Sequence, residues 1–123
     1  MISVIVNREG SSIRAIYANG HAGYDKPGKD IICSAVSTLL YTSANALEDI
    51  CGYDTDSTFR VAGEGTEDVS LRITVPDTGD GETKNRAQVI MRTCELGLIG
   101  IARDYNGSKK RYVEIINSRT PEV

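Results

Sequence analysis

The sequence predicts an α+β domain of two layers: a mostly antiparallel sheet with two helices packed on one of its faces, in the order ββαββαβ. Three observations predict it. Apolar residues recur at helical spacing in two long stretches, they alternate with polar residues in shorter Ile/Val/Tyr-rich runs, and Gly- and Pro-containing turns separate the runs. With 123 residues and no shift of composition along the chain, one domain covering 1–123 is expected.

Residues 2–8 and 11–18, rich in Ile, Val and Tyr and split by Glu9-Gly10, read as a hairpin. Residues 19–30 carry three glycines and a proline and read as a loop with several flexible points. From Ile31 the period changes: Ile32, Val36, Leu39, Leu40, Ser43, Ala46, Leu47 and Ile50 follow a helical stripe, with Asp30 as N-cap and Gly52 as the stop. Residues 57–63 and 68–75 form a second strand pair. In the latter, Val69, Leu71, Ile73 and Val75 alternate with Ser70, Arg72 and Thr74, so one face is buried. After the turn at 76–81, Ala87, Ile90, Met91, Cys94, Leu98 and Ile101 mark a second helix over 83–104, and residues 111–117 make the last strand.

Composition excludes several classes. Apolar residues at 40% and charged residues at 25% are ordinary for a soluble domain, and no run approaches the length of a membrane span. The short, strand-patterned N-terminus does not resemble a signal peptide, so a cytoplasmic protein is expected. A net charge of -3 argues against a direct nucleic-acid binder, with Lys109-Lys110-Arg111 as a local basic exception. Three cysteines suggest free thiols rather than a disulfide framework. A zinc site is disfavoured: there is no Cys-x-x-Cys pair, and Cys33 and Cys51, on one helix, would sit about 27 Å apart. No metal and no cofactor are therefore expected.

The single histidine, His21, lies in the loop twelve residues before Cys33. If Asp30 caps the helix, Cys33 falls in its first turn, where unpaired backbone N–H groups and the helix dipole favour a thiolate. An imidazole folding back from the loop would supply the base, with Gly20 and Gly23 permitting the movement or merely shaping a turn. Asp30 has two candidate tasks, capping the helix or orienting the imidazole. Ser37, one turn beyond Cys33, either bonds the thiol, a substrate or a water, or bonds back to its own helix. The N–H groups at the helix start, that of Cys33 included, offer an oxyanion hole. Cys51 and Cys94 read as packing residues. The acidic residues Glu48, Asp49, Asp54, Asp56, Glu64, Glu67 and Asp68 read as solvated surface or as a landing area for a basic partner.

The runs Gly20-His21-Ala22-Gly23-Tyr24 and Gly28-Lys29-Asp30-Ile31-Ile32-Cys33-Ser34-Ala35-Val36-Ser37 resemble the ribosomal-processing cysteine proteases of bacteria, the Prp family, and length and element order fit along the whole chain. The resemblance implies a small homodimeric cysteine endopeptidase. Its task would be to remove a short N-terminal extension from the precursor of ribosomal large-subunit protein twenty-seven, cleaving between Phe and Ala. It further implies Cys33 as nucleophile and His21 as base. Asp30 and Ser37 match further positions linked to activity, and the loop holding Gly20, Gly23 and Gly28 would be a mobile cover. Ser34, where the family often has Ala, and Asp25-Lys26-Pro27 depart from the pattern without touching the proposed pair. A noncatalytic ribosome-associated protein that holds a basic ribosomal protein is the rival from another class. Redox sensing by the thiol is a third reading, which lacks a resolving cysteine nearby.

Overall fold

The computed structural model describes residues 1–26, 30–66 and 68–120. Strands β1 (Ile2–Glu9) and β2 (Ser12–Asn19) form the hairpin, with Gly10 at φ 61 in the turn, and helix α1 spans Ile31–Asp49. A one-turn helix α2 (Thr55–Thr58) leads into β3 (Phe59–Ala62), β4 (Ser70–Thr74), helix α3 (Gly81–Tyr105) and β5 (Val113–Thr120). The sheet order is β3-β4-β2-β1-β5. All neighbours are antiparallel except β1 and β5, which run parallel from Ile2↔Val113 to Glu9↔Thr120. The two-layer α+β architecture is thus as the patterning predicts.

Of the element boundaries that differ from the sequence reading, two strand starts have identifiable reasons. The strand expected over 57–63 begins only at Phe59, because Asp54 accepts a side-chain hydrogen bond from the Asp56 N–H and its carbonyl accepts from Ser57. That capping winds Thr55–Thr58 into a turn of helix. The last strand starts at Val113 rather than 111. The side-chain oxygen of Asn106, just past α3, takes the N–H groups of Tyr112 and Val113, and the Ile2 N–H then finds the Tyr112 carbonyl.

Inward-facing Ile2, Val4 and Val6 of β1 and Ile16 and Ala18 of β2 pack with Ile32, Val36, Leu40 and Leu47 of α1 and Met91, Cys94 and Leu98 of α3. A register shift between Asn7 and Arg8 makes Asn7 pair with Ala15 and Arg8 with Ile13, so Ile13 also turns into the core. Arg8 points the same way, and its Nη2 donates to both carboxylate oxygens of Glu95 on α3, at 2.5 and 2.7 Å. Ile5, Tyr17 and Arg72 are aligned by pairing on the other parity, the first two partly exposed and Arg72 exposed. Where α3 crosses α1, a Cβ on Gly97 would stand 2.8 Å from the Leu39 side chain, so the absent side chain sets how closely the helices approach. Among the described residues, no helix is long and apolar enough to cross a membrane.

Candidate active site

Asp30 organises the site. One oxygen, Oδ1, accepts from the N–H groups of Ile32 and Cys33, both at 3.1 Å, and so caps α1. The other, Oδ2, accepts from the N–H of Tyr24 at 3.0 Å and of Asp25 at 3.4 Å, so one buried carboxylate ties the loop to the helix start. Of its two candidate tasks, capping is the one the geometry displays; the second oxygen goes to the loop backbone rather than to His21. Burial works against its charge, but the hydrogen bonds from Cys33, Tyr24 and Asp25 outweigh burial and hold the carboxyl below its ordinary range.

Cys33 is the third residue of α1 and half-buried. Its Sγ accepts a hydrogen bond from the Ala22 N–H at 3.3 Å. The thiolate expected at a helix start is not what this arrangement favours. Burial pushes the thiol up, the Ala22 N–H opposes that, and the negative charge of Asp30 pushes it further up, so the sulfur rests protonated. Of the helix-start donors expected to offer an oxyanion hole, three are already engaged: the N–H groups of Ile32 and Cys33 serve Asp30 Oδ1, and that of Ser34 serves the Asp30 carbonyl. The physical reason is the same in both cases. A carboxylate cap occupies the donors and brings a negative charge with it.

His21 is exposed, and its Nε2 lies 2.8 Å from the carbonyl oxygen of Thr66 in the loop between β3 and β4. A carbonyl only accepts, so this bond assigns the proton to Nε2 and leaves Nδ1 as the basic nitrogen of the neutral ring. Gly20 and Gly23, on either side, have φ of 88° and 69°, values that L side chains rarely adopt. Gly20 is also pressed against the chain start: its N–H donates to the Val69 carbonyl, and an added Cβ would lie 2.9 Å from the Met1 carbonyl oxygen. Gly28 lies outside the described residues. Ring contacts from Tyr24 to Tyr105 (centroids 5.9 Å apart) and Tyr112 (5.2 Å) seat the outer part of the loop against the end of α3 and the approach to β5.

His21, Cys33 and Ser37 line one cavity of about 150 Å³, whose apolar wall comes from Ile2, Ala18, Val36, Val69 and Leu71. Thr38 and Ser43 bond back to helix carbonyls, whereas Ser37 makes no such bond among the described residues. The sequence reading missed the Thr66 carbonyl, because a backbone acceptor has no residue signature. It also missed Val69 and Leu71 as pocket wall, although their alternation had marked them as inward-facing. Cys51 and Cys94 are free thiols, the latter buried against α1 with Sγ 3.8 Å from the Leu39 carbonyl.

A small α+β domain with a thiol and an imidazole on one apolar pocket falls, by comparison with known proteins, among the cysteine peptidases. Residues 1–110 match the family described as cysteine protease Prp, and the chain belongs to that family. It is 29% identical over 105 residues to the ribosomal processing cysteine protease Prp of Staphylococcus aureus (strain Mu50 / ATCC 700699), covering 85% of this chain and 90% of that protein. With the protein of the same description from Bacillus subtilis (strain 168) it is 23% identical over 117 residues, covering 94% of this chain and 100% of the relative. A crystal structure of the S. aureus ribosomal processing protease Prp, in complex with a covalently linked product peptide, superposes with a TM-score of 0.70 at 24% identity. That superposition covers 96% of this chain and 100% of the other and shows a shared fold.

Proposed function

We propose that this cysteine peptidase removes a short N-terminal extension from a ribosomal large-subunit protein precursor, protein twenty-seven, by cleaving between Phe and Ala. The observation that carries the reading is the single cavity lined by Cys33, His21 and Ser37 at the start of α1, in a chain of this family. Relatives described as ribosomal processing proteases, one of them crystallised with a covalently linked product peptide, support it. The pocket's Ile2, Ala18, Val36 and Leu71 suit an apolar side chain beside the scissile bond.

In this reading the Cys33 thiol gives its proton to His21 as the sulfur attacks the peptide carbonyl, and the imidazolium then protonates the departing amine. Water, deprotonated by the same ring, releases the acyl group and restores the thiol. Because burial and the Asp30 charge favour the protonated sulfur, the proton is transferred to His21 as the attack takes place. Asp30 and Ser37 act as supporting residues: Asp30 holds the loop and helix in register, and Ser37 offers a hydroxyl to the bound peptide. The loop around Gly20 and Gly23 covers the site. We further propose a cytoplasmic homodimer that uses no metal or cofactor and binds neither membrane nor nucleic acid directly.

Incubating the purified chain with the precursor, and weighing the products, tests this. Cys33→Ala and His21→Ala should each abolish release of the extension with circular dichroism unchanged. Cleavage at the parent rate by either variant sinks the catalytic pair, and a parent that binds the precursor without shortening it points to the noncatalytic reading.

A further inference from the structure

Asp30 engages the N–H groups of Ile32, Cys33 and Ser34, which turns the search for a donor to the tetrahedral intermediate toward the loop. One donor does face the reacting atom. The Ala22 N–H points at Cys33 Sγ from 3.3 Å. In the intermediate, the carbonyl oxygen is bonded to the carbon that the sulfur has just joined. A donor already directed at the sulfur needs only a small shift of direction to meet it at the roughly 2.7–3.1 Å that such a site requires.

On the proposed peptidase reading, we infer that the backbone N–H of Ala22 is the oxyanion donor, a catalytic group supplied by the covering loop rather than by the nucleophile's helix. The step balances in the ordinary way. Sulfur forms a bond to the carbonyl carbon, the π pair moves onto oxygen, and the thiol proton rests on His21; the pair then returns, the C–N bond breaks and the amine takes that proton. Ala22 N–H donates to oxygen while it carries the negative charge.

The loop is built to fix this one group. Ala22 is 3% exposed, unusual for a residue in a loop of otherwise exposed or half-exposed neighbours. Its two sides are shaped by the positive φ of Gly20 and Gly23. Upstream, His21 is bonded to the Thr66 carbonyl, and downstream, Tyr24 and Asp25 are bonded to Asp30. A donor held in place before the substrate arrives needs little reorganisation when charge develops, which is the condition under which such donors are effective.

The test removes the N–H while keeping every side chain: semisynthesis of the full chain with lactic acid in place of Ala22, so that an ester replaces the amide. The probe is a synthetic peptide spanning the Phe-Ala junction, and iodoacetamide reports separately on the sulfur. We expect the plateau of kcat to fall by about 10²–10³ with KM little changed, as for loss of a single oxyanion donor. The plateau rate of alkylation at high pH should stay near the parent's, since alkylation creates no oxyanion. Unchanged kcat overturns the assignment. So does a shift of both pH profiles with both plateaus intact, which would confine the N–H to holding the sulfur's charge, and so does a parallel fall in turnover and alkylation, which would mark a disturbed loop. Failure of the peptidase reading is distinguishable, because then the all-amide semisynthetic chain itself leaves the peptide whole.

Discussion

Replacing Asp30 by alanine should destabilise the domain by more than an ordinary helix cap. The cap to Ile32 and Cys33 alone is worth about 1 kcal/mol. The second oxygen adds charged hydrogen bonds to Tyr24 and Asp25, of the kind worth about 1.5–3 kcal/mol, and the longer Asp25 contact contributes at the weak end. Together these give a loss of about 2–4 kcal/mol for Asp30→Ala. For a domain of this length that corresponds to a fall in Tm of roughly 8–16 °C. Asp30→Asn should fall between parent and alanine: its oxygen still caps the helix, while its NH2 meets the N–H groups of Tyr24 and Asp25. The pH dependence has a definite sign. The folded carboxyl is more acidic than the unfolded one, so its contribution is present above about pH 4 and lost as pH falls through the lower folded value. Urea unfolding of the three chains at neutral pH and along an acid series checks both points. A loss below about 1 kcal/mol for alanine, at the level of a cap alone, or an asparagine variant as unstable as the alanine one, would refute the two-sided clamp.

Other outcomes follow from the same coordinates. In the free chain, Cys33 should react with iodoacetamide slowly at neutral pH, the rate climbing steadily with pH toward a midpoint above that of an ordinary thiol; a thiolate midpoint below neutrality would contradict the arrangement of burial and Asp30 charge around the sulfur. Gly20→Ala places a side chain at φ 88° and 2.9 Å from the Met1 carbonyl oxygen, so a stability loss of about 1–3 kcal/mol with reduced peptide cleavage is expected, read by thermal melting and a peptide assay. Glu95→Gln leaves Arg8, with Arg92 beside it, facing a neutral partner; a loss of about 3–5 kcal/mol is expected by urea titration, and a loss under 1 would mean the buried acid is dispensable.

How much the chain discloses in advance depends on the kind of interaction. The helical stripe from Ile32 to Leu47 and the alternation around Leu71 and Ile73 are repeated signals of side-chain burial, and the elements they mark are present. The stop at Gly52 follows from its positive φ of 76°. Boundaries set by single side chains were less visible: Asp54 and Asn106 move strand starts by bonding to backbone, and nothing in their identity says which backbone group they will take. At the site, residue types were readable and their electrostatics were not. Asp30 was visible as a cap, but its second oxygen and its effect on the sulfur arise from a loop folding back, which spacing does not encode. The backbone groups of Ala22 and Thr66 left no trace at all, since every residue type except proline offers the same N–H and C=O.

The crossing at Gly97 carries a consequence for how this molecule can vary. A methyl group there would press on Leu39 and lever α1 away from its neighbour, and α1 bears Cys33 on its opening turn. Leu39 stands six positions along from the sulfur, about 9 Å up the same rigid rod. Side-chain volume at a point remote from any peptide therefore acts as an adjusting screw, moving the nucleophile relative to the loop while leaving every chemical group intact.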